Sequence, residues 1–189
     1  MSFQAKSSEN FLNKDDVSTL LDFSVNTNLW RRIENSVWDN RTIGYQILCS
    51  VDVLVPIIDP TIKKIQSYIQ KEYNIENIYA DTFDLCRWFP GSSQPPHCDS
   101  MENTPDHKHH KHRFFGSIIY LNTNYNGGHT YYPDHNFSII PECGKLAVHL
   151  GDCEHRHGVT TIHDNIRYTL ASFWTLDKNR SLSLKNSEW

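Results

Sequence analysis

From residue 78 onward the chain breaks into short strand-forming runs set apart by turn residues, and this punctuation restricts the fold more than any other feature. Residues 78–89, 115–121, 129–132, 137–140, 145–150 and 167–175 are rich in β-branched, aromatic and apolar side chains. Pro90-Gly91-Ser92-Ser93, Gly127-Gly128 and Pro141-Glu142-Cys143-Gly144 supply the turns between them. Many short strands punctuated in this way read as a mainly β fold, here a double-stranded β-helix of the jelly-roll type whose open mouth can hold a ligand. No internal repeat is visible.

The first 75 residues read as a layer of helices and a strand packed on that barrel, residues 76–178 as the β-helix core and 179–189 as a tail, in one domain overall, as suits 189 residues. Asp15 or Asp16 can cap a first helix carrying Val17, Leu20 and Leu21 on one stripe. Trp30, Ile33, Val37 and Trp38 repeat that spacing less cleanly, as packing residues of the helical layer. Residues 43–55 predict a strand ended by Pro56. Asp59-Pro60 then opens a helix that buries Ile62, Ile65, Tyr68 and Ile69.

Within the β region, His97 and Asp99 stand two apart in Pro96-His97-Cys98-Asp99, a spacing that turns both side chains to one face of an extended strand. His157 and Arg167 follow downstream, ten residues apart. Two imidazoles and one carboxylate are the set that holds non-haem Fe(II) on one face and leaves the opposite positions open.

In order and spacing this pattern resembles the Fe(II)/2-oxoglutarate dioxygenases, and within them the prolyl hydroxylases. The residues that carry the likeness are His97-Cys98-Asp99, Tyr120-Leu121-Asn122, Gly127-Gly128, His157-Gly158-Val159, Arg167 and Phe173-Trp174-Thr175-Leu176-Asp177, over residues 78–177. The His-Gly-Val and Trp-Thr-Leu-Asp versions look most like leprecan-type prolyl 3-hydroxylases. The resemblance implies that His97, Asp99 and His157 hold Fe(II), and that Arg167 and Tyr120 grip the far carboxylate of 2-oxoglutarate. Arg167 suits this because its planar guanidinium pairs a carboxylate bidentately. His155 competes for the distal ligand position, but Val159, Ile162 and Arg167 fall in the family's frame when counted from His157. An Ala or Gly at position 99 would suggest a halogenase; Asp99 implies hydroxylation. Asp84, Arg87, Trp88 and Phe89 precede the ligand segment where relatives often carry a Tyr, so that hydroxyl is absent or supplied elsewhere. Tyr79, Tyr131, Trp174 and Asn122 are weaker candidates to line the pocket.

The implied reaction is hydroxylation of prolyl residues in a peptide or protein, using O2 and 2-oxoglutarate and releasing succinate and carbon dioxide, with ascorbate as a helper. A free amino acid or other small molecule is the alternative substrate, and a non-catalytic metal-binding barrel the reading from another class. Asp106-His107-Lys108-His109-His110-Lys111-His112-Arg113 tempts a second metal site, but its lysines oppose a dication, so it reads as a solvated or substrate-facing loop. A net charge of -4 offers no basic footprint for nucleic acid. No stretch reaches the apolar length of a membrane span and the N-terminus lacks a secretory core, so a cytoplasmic enzyme is expected. Five cysteines (Cys49, Cys86, Cys98, Cys143, Cys153) without a scaffold pattern predict free thiols in a reducing compartment.

Overall fold

A computed structural model describes residues 3–100 and 110–182. Among the described residues the strands are β1 (Lys6–Ser8), β2 (Thr42–Gly44), β3 (Tyr79–Trp88), β4 (Gln94–His97), β5 (Phe115–Tyr120), β6 (Asn126–Gly127), β7 (Thr130–Tyr132), β8 (Phe137–Ile139), β9 (Leu146–Leu150), β10 (His157–Val159), β11 (Ile162–His163) and β12 (Arg167–Thr175). The α-helices are α1 (Lys14–Asn26), α2 (Tyr45–Leu48) and α3 (Val55–Tyr73). One six-stranded antiparallel sheet has the order β1-β9-β5-β12-β3-β2, a four-stranded sheet the order β4-β10-β7-β8, and β6 pairs with β11.

Alternation along the central strands divides two environments. Leu170 and Trp174 of β12, Phe115 and Ile119 of β5, Leu146 and Val148 of β9, and Phe83 and Leu85 of β3 join Leu20 of α1 and Ile58, Ile65 and Ile69 of α3 in the main core. Each large side chain buried there contributes about 1.5–3 kcal/mol. Trp174 is fully enclosed because its indole N–H donates to the hydroxyls of Ser117 and Ser172, which removes the cost of burying it. The intervening residues turn toward the four-stranded sheet. Tyr120 and Ala147 meet Tyr132 and Ile139 there, and the inner face becomes the wall of the functional site.

Four expectations change. Of the expected strand 43–55 only Ile43 and Gly44 are extended, in β2; α2 follows, and α3 begins at Val55 with Pro56 in its first turn. Proline fits there because its missing N–H has no partner in a first turn, so Pro56 opens a helix rather than closing a strand, and Pro60 falls inside it. The Trp30–Trp38 stretch forms turns rather than a helix: Trp30 is buried while Val37 is exposed. The cap of α1 is Asn13, whose Oδ1 accepts the Asp16 N–H at 2.8 Å.

The cysteines are the fourth correction. Cys98 and Cys153 form a disulfide across 55 residues of sequence, leaving Cys49, Cys86 and Cys143 free, so the cysteine ground for a reducing compartment lapses. The pairing follows from topology rather than spacing: β10 lies antiparallel to β4 with His157 opposite His97, which brings the turn before β10 against the end of β4. The bridge ties the His97–Asp99 segment to the approach to His157. Cys98→Ser is expected to lower stability under non-reducing conditions by about 2–4 kcal/mol. Denaturant melts with and without dithiothreitol check this, and reductant should abolish the difference from wild type.

Candidate metal and co-substrate site

His97, Asp99 and His157 meet between the two sheets, with one donor atom from each within 4.8 Å of the others. Asp99 Oδ1 lies 3.6 Å from His97 Nε2 and 3.8 Å from His157 Nε2. Both rings are oriented by main chain. His97 Nδ1 lies 3.0 Å from the Pro95 carbonyl and His157 Nδ1 3.2 Å from the His155 carbonyl, so each Nδ1–H donates and each Nε2 keeps its lone pair for the shared centre. The Gln94 amide donates to His97 Nε2 at 3.2 Å, in keeping with that tautomer.

Electrostatics favour the metal-binding protonation states at Asp99 and His157 and oppose the neutral ring at His97. Burial alone would raise the Asp99 carboxyl, but the hydrogen bond from His149 and the neighbouring His157 and His97 hold it well below the usual carboxylate range. Burial, with His149 beside it, pushes His157 down to about 3, which leaves a neutral imidazole. Burial also works to lower His97, yet the hydrogen bond and charge of Asp99 outweigh it and its pKa rises. The donor set, two imidazole nitrogens and one carboxylate, fits Fe(II).

His155 is placed differently. It is buried, its backbone N–H and Nδ1–H both donate to Asp152 Oδ1 (3.0 and 2.6 Å), and its Nε2 accepts the Gln4 N–H at 3.1 Å. Both ring nitrogens are thus engaged in structure, and His155 ties down the N-terminal segment.

Deeper on the inner face, Arg167 is 1% exposed and its Nε and Nη2 have no hydrogen-bond partner among the described residues. A buried guanidinium with two nitrogens unbonded is costly unless an anion joins it. Tyr120 stands beside it, ring centre 5.2 Å from the guanidinium carbon. Its hydroxyl shares a 2.7 Å hydrogen bond with Thr130; if Thr130 donates, the phenol proton remains available to a ligand. Burial pushes Tyr125 up to about 12 against the charge of Arg167, and its hydroxyl too lacks a partner. Gly128, at φ +65°, makes room: a Cβ there would lie 2.8 Å from the Tyr125 ring and 3.0 Å from Arg167 Cδ. Orphaned donors around one buried cation fit the far carboxylate of 2-oxoglutarate.

Other candidates are not brought into this constellation. Trp174 faces the main core, and Asn122 braces the main chain at Ile166 and Tyr168. Arg87 donates to the Asn40 carbonyl and stacks on Trp30. Residues 106–109 of the histidine run lie outside the described residues, whereas His112 pairs with Asp81 at 2.9 Å. Sequence reasoning missed Tyr125, Thr130 and His149; for His149 the signal was a lone histidine within the apolar run Leu146–Leu150.

Asp84 lies in a cleft beside Arg31, Tyr45 and Asp81. Burial, opposed by Arg31 and Arg113, pushes its carboxyl up to about 6. The folded state therefore holds this proton more tightly than the unfolded chain, so ionising it removes stability as pH rises from about 4 to about 6. Asp84→Asn is expected to flatten that interval and to raise stability above pH 6 by on the order of 2–3 kcal/mol, measured by denaturant melts across pH.

No protein-family model matches the chain. A curated protein of Acanthamoeba polyphaga mimivirus, itself only provisionally called a prolyl 4-hydroxylase, is 27% identical over 95 residues. That match takes in 48% of this chain and 39% of the mimivirus protein's length. The viral collagen prolyl hydroxylase of Paramecium bursaria Chlorella virus-1, solved as a 2OG complex, superposes with a TM-score of 0.67 at 16% identity, covering 92% of this chain and 96% of that one. A Trichoplax adhaerens prolyl hydroxylase, solved with a hypoxia-inducible-factor peptide, gives a TM-score of 0.67 at 19% identity over 95% and 86% of the two chains. The chain thus has the double-stranded β-helix fold shared by these prolyl hydroxylases.

Proposed function

We propose that this chain is an Fe(II)- and 2-oxoglutarate-dependent dioxygenase that hydroxylates prolyl residues in a peptide or protein and releases succinate and carbon dioxide. The observation that carries the reading is the meeting of His97, Asp99 and His157 donors within 4.8 Å of one another in a fold that also buries the Arg167 guanidinium with its Nε and Nη2 unbonded among the described residues. The likeness to prolyl hydroxylases, one of them solved with a peptide, supports the substrate class.

His97, Asp99 and His157 would hold the iron, and Arg167 with Tyr120 the far carboxylate of the co-substrate. Bound Fe(II), with 2-oxoglutarate and O2, supplies the oxidising power that inserts an oxygen atom into an unactivated C–H bond, and ascorbate would keep the iron ferrous. The chain's own part is orientation and exclusion of water. Tyr120 and Arg167 fix one end of the co-substrate, and the ligands on β4 and β10 fix the other.

The test is succinate release with Fe(II), ascorbate and 2-oxoglutarate, with and without proline-rich peptides. Peptide-stimulated turnover with a peptide mass gain of one oxygen atom supports the proposal. Turnover that no peptide stimulates would transfer the reaction to a small molecule, and bound iron without succinate would leave a metal-binding barrel.

A further inference from the structure

Nothing in the spacing of His149 marks it, yet it touches two of the three proposed ligands. Its Nε2 lies 3.1 Å from Asp99 Oδ2, and its ring centre lies 3.9 Å from that of His157. We propose that His149 is a positioning residue of the metal centre, holding Asp99 by Oδ2 so that Oδ1 is presented to the ion. This rests on the reading of His97, Asp99 and His157 as its ligands.

The register of β9 on β5 sets His149 opposite Gly116 on the inner face, where it is 1% exposed. A carboxylate only accepts, so Nε2 carries the hydrogen; in the neutral ring Nδ1 is then the acceptor, and the Tyr132 hydroxyl, 2.9 Å away and fully buried, is the donor. The chain Tyr132 to His149 to Asp99 thus leaves neither imidazole nitrogen unsatisfied. It also gives Oδ2 the donor that a buried carboxylate needs once its other oxygen serves a metal. Oδ1 is the atom that faces both His97 and His157.

Gly116 completes the device by having no side chain. A Cβ there would lie 2.6 Å from Asp99 Oδ2 and 2.6 Å from His149 Nε2, inside the hydrogen bond itself. The six-stranded sheet therefore supplies the orienting group from β9 and the space from β5, while the ligands come from the β4 and β10 side.

The test uses the full chain and Co(II) as probe, read by the visible absorption of the bound ion and by its dissociation constant. His149→Phe is expected to weaken Co(II) by about 10–100-fold and to shift the band. His149→Gln, whose amide can still donate to Oδ2, should recover most of the affinity, and Gly116→Ala should reproduce the loss. Wild-type affinity with an unchanged band in His149→Phe and Gly116→Ala would overturn the proposal, as would a Gln variant no better than the Phe variant. Should His149→Phe fail to fold, the Gln and Gly116 variants carry the comparison. If the wild type takes up no Co(II), or His157→Ala binds it equally well, the ligand assignment itself fails and this proposal with it.

Discussion

Arg167→Ala is expected to raise the 2-oxoglutarate concentration needed for half-maximal turnover by roughly 30-fold to several thousand-fold, the 2–5 kcal/mol that follows truncation of one partner in a buried charge pair. The size follows from what surrounds the guanidinium. It is almost wholly enclosed, two of its nitrogens have no partner among the described residues, and the groups beside it are the phenols of Tyr120 and Tyr125. Water does not screen such a cation, so a dicarboxylate that reaches it gains far more than at a surface. Arg167→Lys should fall between the two, because an ammonium keeps the charge but loses the planar fork.

The same change has an opposite expected effect on the ligand-free protein. An unpaired buried cation costs folding energy, so Arg167→Ala should melt at or above the wild-type temperature without 2-oxoglutarate. Saturating 2-oxoglutarate at one hundred times its dissociation constant should then stabilise the wild type by about 2.7 kcal/mol and leave the variant unmoved. A thermal melt series with Mn(II) present reads both effects. An unchanged co-substrate requirement in Arg167→Ala would remove the assignment.

Sequence pattern made the barrel and its candidate ligands legible because both depend on short-range regularities. The period-two runs of β3, β5, β9 and β12 lie within one residue of their expected limits. His97, Asp99, His157 and Arg167 stand out as candidates since chemistry limits which residue types can serve in such a set. What escaped depends on contacts across the sheets. The disulfide joins residues whose only relation is the β4–β10 pairing. His149 becomes meaningful only when β9 is set beside β5 and Asp99 is folded over Gly116. Pro56 misled because a proline that ends a strand and one that opens a helix look alike until the following turns are seen.

His157→Ala and His155→Ala, two positions apart, are expected to separate chemistry from structure. Structural metal sites bind with roughly 10–16 kcal/mol, so each ligand carries on the order of 3 kcal/mol, and losing His157 should weaken Co(II) at least about 100-fold and abolish turnover. The fold should tolerate the loss, because the His157 ring lies where the candidate ligands converge and, among the described residues, its only hydrogen bond is to the His155 carbonyl. His155→Ala should do the reverse. It strands Asp152 and the Gln4 N–H, which costs about 1–3 kcal/mol of stability, while His97, Asp99 and His157 remain in place. Co(II) titrations beside chemical melts read both variants. Metal lost in His155→Ala but retained in His157→Ala would exchange the two roles; loss in both would point to the segment 153–157 acting as a unit through the Cys98–Cys153 bridge that anchors it.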